Sequence, residues 1–538
     1  MTRLRNFFYL YRRDLILLLL LFASALAIRC YFLQFYRVIS ADGVGYAEIG
    51  RSLFKAGGLA KATHFPPFYP FLIAIFNQFI RDVELAGRVV SIIMGSLIVV
   101  PIYLLGKRFF DTRVALLACL LAITWSCLRD LSCEVMSQAT YITMLYTAVF
   151  LFDRAVTKRS VRASIATGLV MGLAYLTRAE AFIVFAVASP FAMAFILADG
   201  GSRREAATIL ISAWIAFWVL AFPYVLLLHN VTGIWQLTAK TGPTLWVGLG
   251  GYLGKFDVYH ELDFKAIGFL DVIRKYPGFI PYNINNNLQS IAKEMLPPYF
   301  WALALVGFVA GGWNRRRLIE RLYLSSTFAP LPVIIIFFLV SSAYNQLSLP
   351  VLFLWIGNGA ATAEALLSRM LPPGLKTVLQ RNLLSILVIG AIALKTLIAD
   401  IPRDAGKPYD VDQDGGRYDH KRIGLLLRQY LPQGSKIMTR SGRISFYSEF
   451  PTVYIPQSDL AAMCAYGREN KVRFLIVDGM LQQLRPQFEP LFLPLNSRPD
   501  KMFTFVKPNS FVPVAGLSLY LVYKEPSSLG VAVYEFIN

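Results

Sequence analysis

Apolar runs close to the ~20 residues needed to cross a bilayer recur along the first 400 positions. They predict eleven membrane-spanning helices near 15–36, 85–106, 114–129, 135–152, 164–177, 180–198, 207–228, 298–313, 324–341, 347–366 and 383–400. The first run follows Arg12-Arg13 and stays apolar past its Ala-Leu-Ala, which favours an uncleaved span over a signal peptide. Segment 66–80 is apolar but short, and is expected to lie at the interface. After residue 400 the pattern changes. Short β-like runs at 436–439, 452–455, 472–477, 504–507, 517–523 and 531–536 alternate with helix-like connectors at 443–449, 458–470 and 480–489. The expected division is a transmembrane module over 1–400 and a soluble α/β domain over 401–538.

Charge orients this arrangement. Every second connection is short and basic: Arg3, Arg5, Arg12 and Arg13; Lys107, Arg108 and Arg113; Arg154, Lys158, Arg159 and Arg162; Arg203 and Arg204; Arg315, Arg316, Arg317 and Arg321; Arg369, Lys376 and Arg381. Under the positive-inside rule the N-terminus is cytoplasmic, and eleven spans leave the tail outside. The expected location is the plasma (inner) membrane, with outer loops at 37–84 and 229–297. These basic segments hold 20 Lys or Arg against seven acids, so thirteen of the net +20 charges mark orientation and contact with anionic lipid. Nucleic acid is therefore not an expected partner. Composition agrees: 56% of residues are hydrophobic and 16% charged, too few charges for a soluble enzyme of this length. Five cysteines show no metal-ligand spacing.

The first outer loop reads Ser40-Ala41-Asp42-Gly43-Val44-Gly45-Tyr46. A carboxylate at the membrane edge beside two glycines suits a general base for an acceptor hydroxyl, or a ligand for a divalent metal. The simpler reading of Asp42 is a helix N-cap. The chain continues with His64-Phe65-Pro66-Pro67-Phe68, Arg88-x-x-Ser91, Glu134-Val135-Met136-Ser137, and Gly168-x-x-x-Gly172 leading to Leu176-Thr177-Arg178-Ala179-Glu180.

In the order and spacing of these motifs the chain resembles the integral-membrane GT-C glycosyltransferases. The group it is most similar to contains protein O-mannosyltransferases and lipid A aminoarabinose transferases. The motifs cover residues 1–300. The resemblance implies transfer of a sugar, with inversion, from a polyprenyl-phosphate carrier to an acceptor glycolipid, polysaccharide or protein at the outer face. It assigns Asp42 as base and Glu134 as a second acid. It assigns Arg88 and Arg178 to the donor phosphate, with His64, Lys240 and Lys293 as further candidates, because fixed cations stabilise leaving-group charge. Three positions depart from the family pattern. Phe65 stands where Lys or His often precedes Pro-Pro. Gln138 stands at the second acid, with Glu134 expected one helical turn earlier on the same face. Ala179 replaces a proline. Arg at span ends also serves as an ordinary interfacial anchor.

Other features are less specific. Asp410, Asp412 and Asp414 follow the first half of a calcium-loop pattern, but Lys421 stands where its last ligand belongs, so a solvated linker is the simpler reading. Gly248, Gly250, Gly251 and Gly254 have no preceding strand, which argues against a dinucleotide site. Amides and aromatics between 229 and 297, among them Asn283 and Asn287, suit sugar contacts or an interfacial belt. The competing class is a multi-pass transporter or lipid flippase, which predicts mid-span charges and repeat symmetry; the apolar runs contain few such charges and show no repeat of fixed period. No Trp-Trp-Asp tract occurs in the tail, which sets the oligosaccharyltransferases aside.

Overall fold

The computed structural model describes residues 2–254, 269–311, 313–338, 346–370, 384–406, 418–456, 458–496, 504–505, 516–523 and 530–537. Two compact units emerge. The first comprises Met1–Phe35, Ile49–Gly248 and Phe269–Gly406; the second comprises Tyr36–Glu48, Leu249–Gly268 and Lys407–Asn538.

The first unit is helical. Among the described residues, seven of its helices are long and apolar enough to cross a membrane: Arg12–Leu33, Val83–Phe109, Glu180–Ala198, Arg203–Thr232, Arg315–Phe337, Gln346–Met370 and Leu384–Ile401. The expected span 114–129 is instead a bent pair, Thr112–Thr124 and Ser126–Cys133, turned by 54°. The break falls at Trp125, whose backbone is extended (φ −66°, ψ 120°). Counted as one span, the pair brings the total to eight. Among the described residues, the predicted eleven is reached if Gln138–Lys158, Val161–Tyr175 and Pro298–Val309 also cross. Segment 66–80 contains the helix Phe68–Ile80, 13 residues long.

Backbone contact between helices is made at glycines. A Cβ on Gly168 would strike the Ala213 carbonyl, and one on Gly172 would meet Leu220 Cβ at 3.0 Å. The Gly-x-x-x-Gly pattern thus packs Val161–Tyr175 onto Arg203–Thr232, as small residues do inside membranes. Gly307 and Gly359 do the same for Pro298–Val309 and Leu349–Met370, each facing a backbone carbonyl of the other helix.

The second unit carries a six-stranded sheet: β1 (Ile437–Thr439), β2 (Thr452–Tyr454), β3 (Phe474–Asp478), β4 (Thr504–Phe505), β5 (Leu517–Tyr523) and β6 (Val531–Phe536). Its order is β2-β1-β3-β6-β5-β4. The first three strands are parallel and the rest antiparallel. Five of the six lie within the β-like runs of the sequence, and β3 passes the end of its run, 472–477, by one residue at Asp478. Alternation splits the side chains between two cores. Met438, Leu475, Val477, Ala532 and Tyr534 face one, with Met463, Leu481 and Phe488 from the covering helices. Ile437, Phe474, Ile476, Val531 and Val533 face the other, with Ile423, Leu427 and Ile444. A register irregularity between Leu519 and Leu521 explains why Leu519 and Val522 share a face despite their odd spacing. The second core needs the helix Tyr418–Tyr430, which the sequence pattern did not single out.

Candidate functional site

In the first unit the motif residues gather through three loop segments. The Pro-Pro segment is fixed when the Phe68 N–H donates to the Leu176 carbonyl (2.9 Å), at the end of the glycine-rich helix. Tyr224 donates its hydroxyl to the Thr63 carbonyl (3.2 Å). Tyr175 donates to the Leu237 carbonyl (2.6 Å), which pins the strand of chain leading to Lys240. Two buried tyrosines from neighbouring helices therefore place His64, Phe65, Arg178 and Lys240 in one neighbourhood.

Arg178 is buried and bonds Glu180, with Nη2 at 2.7 Å and Nε at 3.2 Å from Oε1. Lys240 lies within electrostatic reach of the same carboxylate. The Lys240 ammonium also sits 5.0 Å from the centroid of the Phe65 ring, and His64 meets Phe65 edge-on at 4.7 Å. Phe65 thus contributes an aromatic face under a cation where the family pattern has a cation of its own. The Arg178 guanidinium lies 6.0 Å from the ring of Tyr141, a fully buried residue whose hydroxyl has no hydrogen-bond partner among the described residues. Arg178, Glu180 and Lys240 together carry a net charge of about +1, which suits a phosphate diester or monoester.

Arg88 belongs to an adjoining set. Asp82 caps its helix by accepting from the Leu85 N–H (3.0 Å). Arg88 is buried and pairs with Glu84 at 2.6 Å, an i, i+4 spacing that the sequence offers openly. Its Nε has no partner among the described residues. One turn on, Ser91 bonds Tyr69 (2.8 Å) and the Met136 carbonyl (3.2 Å), joining the start of this helix to segment 134–137.

Two expectations change. Glu134 is not one helical turn before Gln138 on a shared face. Its backbone is extended (φ −100°, ψ 163°), between Ser126–Cys133 and the helix that begins at Gln138. Asn283 and Asn287 are fully buried and hold protein, not sugar: Asn287 donates to the carbonyls of Ile335 (2.9 Å) and Phe338 (2.6 Å), and Asn283 to that of Ile336 (3.4 Å). They satisfy the last carbonyls of helix Pro330–Phe337. Lys293 is exposed, in the single π-helical turn Ile291–Met295.

Asp42 falls in the second unit. It lies in the first turn of helix Ala41–Ser52, half-buried. The N-cap is Ser40, whose hydroxyl accepts from the Gly43 N–H (3.1 Å), so the capping role goes to its neighbour. A carboxylate there complements the positive end of the helix dipole. Among the described residues no three His, Cys, Asp or Glu side chains come together, so a divalent ion at Asp42 would draw most ligands from water or substrate oxygens. Asp410, Asp412 and Asp414 lie outside the described residues.

Comparison with known proteins follows the same lines. Residues 64–228 match the dolichyl-phosphate-mannose-protein mannosyltransferase family. No curated protein sequence matches the chain. Among solved structures, ArnT from Cupriavidus metallidurans bound to undecaprenyl phosphate is similar with a TM-score of 0.59 and 14% identity, over 96% of this chain and 98% of that one. The apo form of the same protein gives 0.58 and 14%, over 98% of each chain. The archaeal oligosaccharyltransferase AglB from Archaeoglobus fulgidus, in complex with an inhibitory peptide and a dolichol-phosphate, gives 0.57 and 13%, over 96% of this chain and 77% of that one.

Proposed function

We propose that this chain, a multi-pass membrane protein with the GT-C fold, transfers a hexose or pentose from a polyprenyl-phosphate carrier to an acceptor at the outer face of the plasma membrane. The observation that carries this reading is the convergence of Arg178, Glu180 and Lys240 beside the Pro-Pro segment; Arg178, Glu180 and the Pro-Pro segment lie inside the stretch 64–228 that matches the mannosyltransferase family, and Lys240 lies 12 residues beyond it. A sugar leaving a phosphate carrier deposits negative charge on the phosphate. Fixed cations of low reorganisation cost lower that barrier, and Arg178 and Lys240 are held by packing and hydrogen bonds for this role. Arg88 adds a further buried cation. Asp42 removes the proton from the acceptor nucleophile as that atom bonds the anomeric carbon from the side opposite the phosphate; the bond from the anomeric carbon to the phosphate oxygen breaks in the same displacement, the polyprenyl phosphate leaves, and the anomeric carbon inverts. ArnT and AglB were captured with undecaprenyl phosphate and dolichol-phosphate, which supports a lipid-phosphate donor of the same kind here. The positive-inside pattern of the basic loops supports an orientation with the first loop and the tail outside.

Asp42→Asn tests the mechanism. In a transfer assay with membrane-extracted lipid donor, the variant should lose at least about 100-fold in kcat, the range of general acid–base contributions. Its expression and undecaprenyl phosphate binding should stay at wild-type levels. Wild-type turnover by Asp42→Asn removes this residue from the mechanism. Substrate flux across reconstituted vesicles without any glycosylated product supports the transporter class instead.

A further inference from the structure

The second unit folds around the segment that carries Asp42. In an open α/β sheet, ligands bind at the carboxyl ends of parallel strands, where connections leave in opposite directions. Here that point lies between β1 and β3, since β1 leads outward to β2 and β3 leads the other way. The side chains at these strand ends serve the domain itself. Asp478 caps helix Gly479–Leu484 and receives Arg440 at 3.2 Å; Ser441 caps helix Gly442–Ser448 and bonds His420 Nδ1 at 2.8 Å. All but Arg440 are buried.

What the helices at this edge hold is the chain's own first loop. Tyr447 accepts a hydrogen bond from the Ile39 N–H (2.9 Å), and Arg443 Nε donates to the Ile39 carbonyl (2.8 Å). The two side chains stand one helical turn apart on Gly442–Ser448, so one helix face takes both backbone groups of a single residue. Ile39 is 1% exposed, so neither group has water as a substitute. Lys421 donates to the Arg37 carbonyl (2.8 Å) while its ammonium lies 4.8 Å from the centre of the Tyr447 ring. Val44 packs against Gly442, and Glu48 is in electrostatic contact with Tyr454 of β2. The clamp ends at Ile39; the next residue, Ser40, is the helix cap, and Asp42 lies two beyond it.

We propose that the C-terminal domain is a positioning device for the first-loop carboxylate, with Arg443 and Tyr447 as positioning residues that fix Asp42 through Ile39 and the Ser40 cap. This rests on the reading of Asp42 as base. The tail therefore acts on the chemical step.

The test uses the full-length protein with Tyr447→Phe, which removes one oxygen and keeps the ring, and Arg443→Met with Arg443→Lys as its conservative partner. Backbone hydrogen exchange over residues 37–48 should rise about tenfold in Tyr447→Phe and Arg443→Met, as expected when a buried hydrogen bond is lost. The kcat should fall about tenfold, with KM for the lipid donor within twofold, and Arg443→Lys should recover most of it. An exposed control, Arg428→Gln, should leave both readouts unchanged. Wild-type exchange in both variants overturns the clamp. Faster exchange with unaltered kcat overturns its role in transfer. Full activity of Asp42→Asn overturns the base assignment, and exchange in the Tyr447 and Arg443 variants then still reports the clamp separately.

Discussion

Lys240 offers the sharpest test of the phosphate site. Arg178 and Glu180 are paired at 2.7 Å, so their charges largely cancel, and Lys240 supplies the net positive charge of the cluster. Two unit charges 4 Å apart interact by about 4 kcal/mol at an effective dielectric of about 20. Lys240 is only half-buried, and screening over a Debye length of about 8 Å removes roughly half of this, leaving about 2 kcal/mol. That corresponds to roughly 30-fold in affinity, at about 1.4 kcal/mol per factor of ten. Lys240→Gln keeps the Arg178–Glu180 pair and should therefore weaken undecaprenyl phosphate binding by about 30-fold without loss of thermal stability. Lys240→Arg should stay within a few fold. The assay is titration of purified protein with the lipid phosphate at two salt concentrations, and the difference between wild type and Lys240→Gln should shrink at high salt. Equal affinities for Lys240→Gln and wild type at low salt would refute the assignment. Arg178→Gln is a different perturbation, because it also leaves the half-buried Glu180 with one partner fewer, and should lower both affinity and thermal stability.

Three further outcomes follow from packing and burial. Arg129 is fully buried, lies 3.7 Å from the Phe32 ring centre, and pairs with Asp130 (2.7 Å) and Asp400 (2.9 Å); Arg129→Ala should cost about 3–5 kcal/mol, read as a lowered unfolding temperature in detergent. Gly359→Leu drives a side chain into the Leu303 carbonyl across a helix contact and should destabilise by more than the ~1–3 kcal/mol of ordinary overpacking, whereas the unobstructed Gly434→Ala should cost only the strain of its left-handed backbone (φ 78°). Burial pushes the Cys464 thiol up, so its thiolate is scarcer than usual at neutral pH; maleimide should label it only on unfolding, and rapid labelling of the native protein contradicts the packing.

Much of the architecture is legible in the order of residues. Apolar runs mark helices, and short β-like runs separated by helix-like connectors mark the strands of the tail; β3, buried at every position between two cores, reads as a continuous apolar run and not as alternation. The Arg88–Glu84 pair has the i, i+4 spacing of a helical ion pair, a signal the sequence carries although the reading of Arg88 does not use it. The bend at Trp125 was not legible, since an apolar run of sufficient length looks the same whether straight or broken. Nor was the extended backbone at Glu134, which sits beside an apolar helix and reads as its start.

The sequence by itself determined that this is a membrane chain with an α/β tail, and which cations and acids were worth examining. Hydropathy, charge asymmetry and strand alternation are local quantities, and each is complete within a few turns of chain. Tertiary structure decided which of those residues meet. Lys240 is brought toward Arg178 and Glu180 where Tyr175 holds the Leu237 carbonyl, 62 residues away, and where its ammonium meets the Phe65 ring. Segment Tyr36–Glu48 folds with the tail because Tyr447 and Arg443 take both backbone groups of Ile39 across some 400 residues. Contacts of that separation leave no periodicity in the chain, since their formation depends on burying backbone polar groups whose partners come from another element.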